Sequence, residues 1–68
     1  MNHDNLNIEI RKFLKKVGIS SQRLIETSVI EQFQNGSVKI GDNIKLEMKL
    51  SIKNFDKEHV VAEQIKIK

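Results

Sequence analysis

Apolar residues recur along the first part of the chain with the spacing of an amphipathic helix. They follow one another at intervals of four, three, one and three residues, which places them on one face of a helix. These residues are Leu6, Ile10, Phe13, Leu14 and Val17. Asp4 precedes them as a candidate N-cap, and Gly18 follows them at the position where many helices end. The pattern predicts a helix over about residues 4–17.

A second helix is predicted directly after the first. Ser20 is the expected N-cap, and Ile19 and Leu24 have the spacing of a hydrophobic staple around it. Asn35-Gly36 supplies a second helix stop, so the helix would span about residues 20–35. Leu24 lies off its inward face, which is formed by Ile25, Val29 and Phe33. The short connection makes the two helices a helical hairpin.

Beyond residue 37 the apolar period changes from that of a helix to that of a strand. Five apolar residues alternate strictly with polar ones: Ile44, Leu46, Met48, Leu50 and Ile52. This alternation predicts a half-buried strand over about residues 44–53. Residues 59–68 are predicted to form a second strand that pairs antiparallel with the first. Residues 38–40 could add a short third strand.

Two registers are open for the second strand near Glu63. Ile65 and Ile67 face inward in a straight strand, and the same parity would turn Glu63 toward the apolar face. A β-bulge near Glu63 would let Val60 and Ala62 face inward instead. The bulge is slightly favoured, because an inward carboxylate needs a partner.

These elements predict an α+β fold with one domain over residues 1–68. The N-terminal helical hairpin would pack on one face of the C-terminal antiparallel β-hairpin, in two layers. The expected core is Phe13, Leu14, Val17, Ile25, Val29, Phe33, Leu46, Met48, Leu50 and Ile52. The chain has only 68 residues and no cysteine, so no disulfide would stabilise this small core.

A local cluster of cations accounts for the net charge of +3. Residues 11–23 contain five basic residues and no acidic one: Arg11, Lys12, Lys15, Lys16 and Arg23. A helical wheel places the first three opposite the apolar residues and Lys16 at a flank. We call these five residues the basic patch. It could bind nucleic-acid phosphates, an acidic protein or anionic lipid, but a merely solvated helix face is the favoured interpretation.

The residue types needed for catalysis or metal binding are scarce. The chain has no cysteine, and its only histidines, His3 and His59, lack further ligands at a metal-binding spacing. It has no glycine-rich phosphate loop and no catalytic triad pattern, and 68 residues can hardly enclose a substrate pocket. We therefore expect a non-enzymatic protein with no catalytic residue, metal or cofactor.

The remaining expectations concern location and partners. No apolar run approaches the length of a membrane span or a signal peptide, so a cytoplasmic protein without a membrane partner is expected. The expected function is a macromolecular binding or structural module, with another protein as the partner. The alternative is weak, sequence-nonspecific nucleic-acid binding through residues 11–23. A monomer is favoured over a weak homodimer, although several apolar residues lack a place in the core: Ile8, Leu24, Ile30 and Phe55.

Residues 5–26 look like a small family of short bacterial proteins of unknown function. The similarity lies in Asn5-Leu6-Asn7-Ile8, in Ile10 through Gly18, in Ser21-Gln22-Arg23 and in Ile25-Glu26. It is weaker through the hairpin, where Glu58-His59-Val60-Val61 is similar. The resemblance implies a bacterial, cytoplasmic, stand-alone protein, and it supplies no catalytic residue.

Overall fold

A computed structural model describes all 68 residues and contains one helix and one β-hairpin. Helix α1 spans His3–Gln34, strand β1 spans Asn43–Ile52, and strand β2 spans Lys57–Lys66. The α+β class is therefore confirmed. The chain divides into two units, residues 1–37 and residues 38–68. The prediction of one domain over the whole chain stays a prediction.

The predicted helical hairpin is wrong, because the helices expected over residues 4–17 and 20–35 are parts of one 32-residue helix. Gly18 lies inside this helix and has no positive φ. Ser20 does not cap a new helix, since its hydroxyl donates to the carbonyl oxygen of Lys16 at 2.9 Å. Glycine costs only about 1 kcal/mol in a helix interior. With no proline in the chain, nothing else interrupts the backbone hydrogen bonds.

The N-cap of the helix lies two residues before the expected one. Asn2 is the N-cap, and its side-chain oxygen accepts hydrogen bonds from the backbone N–H groups of Asp4 at 2.9 Å and Asn5 at 3.1 Å. Asp4 is therefore not the cap but an acidic residue in the first turn. A carboxylate there still stabilises the helix through the macrodipole.

The C-terminal stop predicted at Asn35-Gly36 is confirmed. Gly36 has a φ of +85°, a left-handed conformation that glycine adopts without a steric penalty. Its backbone N–H donates to the oxygen of Phe33 at 3.2 Å, and that of Ser37 donates to the oxygen of Gln32 at 2.9 Å. This pair of bonds is a Schellman motif, which satisfies carbonyl groups that the helix itself leaves free.

Alanine substitutions at two glycines are expected to change stability in opposite directions. Gly18→Ala should raise the free energy of unfolding by about 1 kcal/mol, because alanine is the better helix former. Gly36→Ala should lower it by about 1 kcal/mol, because alanine is strained at positive φ. Nothing lies within 4 Å of a Cβ atom at either position. Urea unfolding followed by circular dichroism measures both, and a destabilising Gly18→Ala would contradict the unbroken helix.

The hairpin has a regular register without a bulge. Its strands pair antiparallel from Asn43 opposite Lys66 to Ile52 opposite Lys57, with no residue skipped. The bulge favoured near Glu63 is therefore wrong, and Glu63 lies directly opposite Leu46 on the apolar face. Glu63 is solvent-exposed, so its carboxylate remains hydrated and carries no burial cost that would favour a bulge.

Residues 38–40 form no third strand, and the sheet has two strands. They lead instead into a turn, in which the N–H of Lys39 donates to the Asp42 carboxylate at 2.9 Å. The N–H of Asp42 donates back to the oxygen of Lys39 at 3.1 Å. Gly41 has a φ of +96° within this turn. Its N–H then bonds to the oxygen of Ile67 at 2.7 Å and closes the end of the hairpin.

Neither unit buries a side chain within itself. Members of the predicted core remain accessible, with 51% of Phe13, 47% of Phe33 and 41% of Met48 exposed. A lone helix and a lone two-stranded sheet each have an apolar face, and neither unit contains a second layer to cover it. Neither unit by itself therefore contains the expected core, and the two-layer packing stays a prediction.

Candidate interaction surfaces

The unbroken helix aligns apolar residues from both of its halves. Residues eleven apart are about three turns apart and lie nearly on one line along a helix. Three such pairs are Leu6 with Val17, Phe13 with Leu24, and Leu14 with Ile25. We call these six residues together with Ile10 the helix stripe. Leu24, which the helical hairpin left off the apolar face, belongs to the stripe because no turn separates it from the first half.

The opposite side of the helix carries the basic patch. Lys12 and Arg23 are eleven residues apart, so the continuous helix brings Arg23 into line with Lys12, on the side that carries the other cations. The patch extends over about 18 Å at 1.5 Å per residue. Lys12 contacts Glu9 at 3.4 Å, and both side chains are largely exposed. The other four cations form no salt bridge, so their charges are free to meet an anionic partner.

Three isoleucines lie among the cations on this side of the helix. Ile8, Ile19 and Ile30 are spaced by eleven residues, and 51–56% of each side chain is exposed. They form a second, narrow apolar row on the side opposite the helix stripe. Their equal spacing is visible in the sequence, but two separate helices would have broken it.

The hairpin provides the second broad apolar surface. In an antiparallel sheet, residues directly opposite each other face the same side. The observed register therefore places seven apolar residues on one face: Ile44, Leu46, Met48, Leu50, Ile52, Val61 and Ile65. We call this set the sheet apolar face. Glu63 opposite Leu46 and His59 opposite Leu50 are polar residues within it.

The other face of the hairpin is mostly polar and charged, with Val60 and Ala62 as its apolar residues. It carries Lys45, Glu47 and Lys49 from β1. The ammonium group of Lys49 lies 3.3 Å from the carboxylate of Glu58 on β2, with more than half of each side chain exposed. An exposed pair of this kind contributes about 0–1 kcal/mol. This face is suited to contact with water. The sheet apolar face is therefore the side of the hairpin that favours burial against another surface.

The structure assembles no group suited to metal binding. No cluster of three or more histidine, cysteine, aspartate or glutamate side chains could hold a metal ion. His3 belongs to the helical unit and His59 to the hairpin unit. Helix α1 is not apolar enough over a sufficient length to cross a membrane.

Comparisons with known proteins place the chain in a family. No curated protein and no solved structure matches it. A family model described as a family of unknown function (DUF6494) matches residues 1–68. The resemblance to a family of unknown function is thus confirmed. Because the match covers both the helix and the hairpin, the chain belongs to the family of unknown function DUF6494.

Proposed function

We propose that the protein is a small, non-enzymatic binding or structural module that docks its apolar surfaces against another protein. The observation that carries this proposal is that neither unit buries a side chain within itself. Soluble monomers rarely expose a contiguous apolar patch larger than a few hundred Å². The bacterial and cytoplasmic setting implied by the family resemblance is part of the same proposal.

The sheet apolar face indicates the chemistry of the partner surface that would pack on it. Seven apolar side chains are spread over two ten-residue strands, which extend about 33 Å at 3.3 Å per residue. An amphipathic helix of the partner laid over this face would form two layers, like those that the sequence predicts for the chain's own helical segment and sheet. Such a helix would need a polar or basic residue opposite Glu63, because an unpaired carboxylate is costly to cover.

Two neighbouring substitutions on opposite faces of β1 test this function. Leu46→Gln removes the apolar residue opposite Glu63, whereas Lys45→Gln alters the charged face beside it. The immobilised proteins are incubated with native extract after nuclease treatment. We expect the wild type and Lys45→Gln to capture the same protein, and Leu46→Gln to lose it at least tenfold, since burial of leucine is worth about 1.5–3 kcal/mol. Equal capture by both variants would contradict the proposal.

Nucleic-acid binding through the basic patch is the second candidate function. The observation in its favour is that one helix carries all five cations on one side, four of them without an acidic partner. The same capture experiment separates the two functions. Nucleic-acid binding predicts that captured material disappears on nuclease treatment and when Lys15 and Lys16 are both replaced by glutamate. It also predicts a steep loss of binding with added salt.

A further inference from the structure

We propose that the outer edge of β2 pairs antiparallel with the same edge of a second copy, so that two hairpins form a four-stranded sheet. The sheet of one chain has two strands, and no third strand pairs with either of them. Each strand therefore has an outer edge whose backbone N–H and C=O groups lack a strand partner. A two-stranded sheet is only marginally stable by itself, whereas three or more strands with an apolar face are stable. The inference does not rest on the proposed function, because the edge and the face of a sheet are different surfaces.

The positions of the lysines distinguish the two edges of the hairpin. Lysine within an edge strand opposes pairing with another chain. In β1, Lys45 and Lys49 lie inside the strand, whereas the lysines of β2 are its terminal residues, Lys57 and Lys66. The centre of β2 is the segment 60–62, Val-Val-Ala, whose valines are about half exposed and favour strand pairing. The edge of β2 is therefore the one open to strand addition.

Twofold symmetry limits how two such edges can pair. The same edge meets itself across the axis, and residues directly opposite each other face the same side of the sheet. We place Val61 opposite its own copy, which overlaps residues 57–65 of both strands. This register continues the sheet apolar face from one hairpin into the other. It sets Glu63 of each copy opposite His59 of the other.

Glu63 and His59 are the chemical reason for this register. Both are polar residues within the sheet apolar face, where they lie opposite Leu46 and Leu50 of β1. Neither takes part in a salt bridge within the chain. An imidazole N–H donates readily to a carboxylate, so each copy supplies the partner that the other lacks. Because these side chains are exposed, their pairing specifies the register more than it adds affinity.

The neighbouring registers are less complementary. A shift of the centre by one residue toward the C-terminus sets Glu63 opposite Val61. A shift toward the N-terminus pairs Glu63 with Lys57, but it leaves His59 opposite an apolar residue and shortens the overlap to residues 57–63. Only the register centred on Val61 pairs both polar residues with each other.

Disulfide cross-linking tests the edge and the register together. The chain has no cysteine, so each variant carries one thiol. Val61→Cys should link to its own copy, because directly opposite Cα atoms lie about 4.5–5.5 Å apart, within the range of a disulfide. Val60→Cys is about 7–8 Å from its own copy, so it should link only when mixed with Ala62→Cys. Met48→Cys, which lies opposite Val61 on β1, should remain unlinked. Self-linking of Val60→Cys or Met48→Cys in preference to Val61→Cys would overturn the proposed pairing.

A charge swap at the same position tests the association without thiols. Sedimentation equilibrium of the wild type should show a mass of twice 7.9 kDa at several hundred micromolar. Val61→Lys and Val61→Glu each set like charges opposite each other, which should raise the Kd for self-association about tenfold. Their equimolar mixture should associate within about threefold of the wild type, because lysine then meets glutamate. A single-chain mass of the wild type throughout, or a mixture no tighter than its components, would overturn the proposal.

The outcomes for edge pairing and for partner capture are separable. Leu46→Gln changes the face of β1 and not the outer edge of β2, so it should lower capture and leave the linking of a Val61→Cys thiol unchanged. A chain that stays single, but whose capture depends on Leu46, removes the edge pairing and leaves the proposed function. A chain that links through Val61→Cys, but captures no nuclease-resistant protein, supports the edge pairing and removes the proposed function.

Discussion

Replacement of both Leu14 and Ile25 by glutamine is expected to lower the midpoint of thermal unfolding sharply. Whatever surface covers the helix stripe would lose its contacts with two apolar side chains, each worth about 1.5–3 kcal/mol. The sum, about 3–6 kcal/mol, is a large part of the usual stability of a small protein, about 5–15 kcal/mol. Glutamine is itself a good helix former, so the loss cannot come from helix propensity. Circular dichroism during heating measures it.

A matched variant on the other side of the helix provides the control. Ile8→Gln combined with Ile30→Gln removes the same amount of apolar surface from the narrow isoleucine row. Because exposed substitutions usually change stability by no more than about 0.5 kcal/mol each, this variant should unfold as the wild type does. A double stripe variant that retains the wild-type transition at equal concentration would show that the stripe is not the stabilising surface.

Replacement of Glu63 by valine is expected to stabilise the hairpin by about 1 kcal/mol. Glu63 faces Leu46 across the strands, and Val61 and Ile65 flank it on the same face. Valine is the better strand residue, and an apolar cross-strand pair with Leu46 adds a further fraction of a kcal/mol, about 0.2–1. Chemical denaturation measures the change.

The control for this substitution lies on the opposite face of the same strand. Glu58→Val removes a carboxylate opposite Ser51 and also the contact with Lys49, so its gain in strand preference should be largely offset. A loss of 1 kcal/mol or more for Glu63→Val would contradict the expectation. It would indicate that the Glu63 carboxylate pairs with a cation in the assembled protein.

The strands could be predicted from the sequence because several successive residues repeat the same apolar–polar alternation. Five alternating apolar residues in β1 fix its face and its ends to within one residue of the observed Asn43–Ile52. The parity of β2 could not be fixed in the same way. Whether Glu63 can face the apolar side depends on whether that side is covered, and covering is a property of the assembly rather than of the local sequence.

The break predicted in the helix is wrong at a position where two conformations compete. Gly18 fits a left-handed helix end, but it also fits a helix interior at modest cost. Ser20 can cap a helix or bond back to an earlier carbonyl, and the structure shows the second arrangement. Each cation of the basic patch lies on α1, and the binding role of the patch stays a prediction. Its alignment with Arg23 and the isoleucine row required the unbroken helix.

The helix and the hairpin each form from residues that are close in sequence, and this affects the rate of folding. Each hairpin pair joins residues of one short segment, from Ile52 with Lys57 to Asn43 with Lys66, and the chain has no proline. Helices and hairpins form within about 10 μs, and no X–Pro bond imposes a slow isomerisation. Any slower refolding phase would therefore report the docking of the apolar surfaces rather than the formation of the helix or the hairpin. Its rate would rise with protein concentration only where that docking joins separate chains, at about 10⁵–10⁷ M⁻¹s⁻¹.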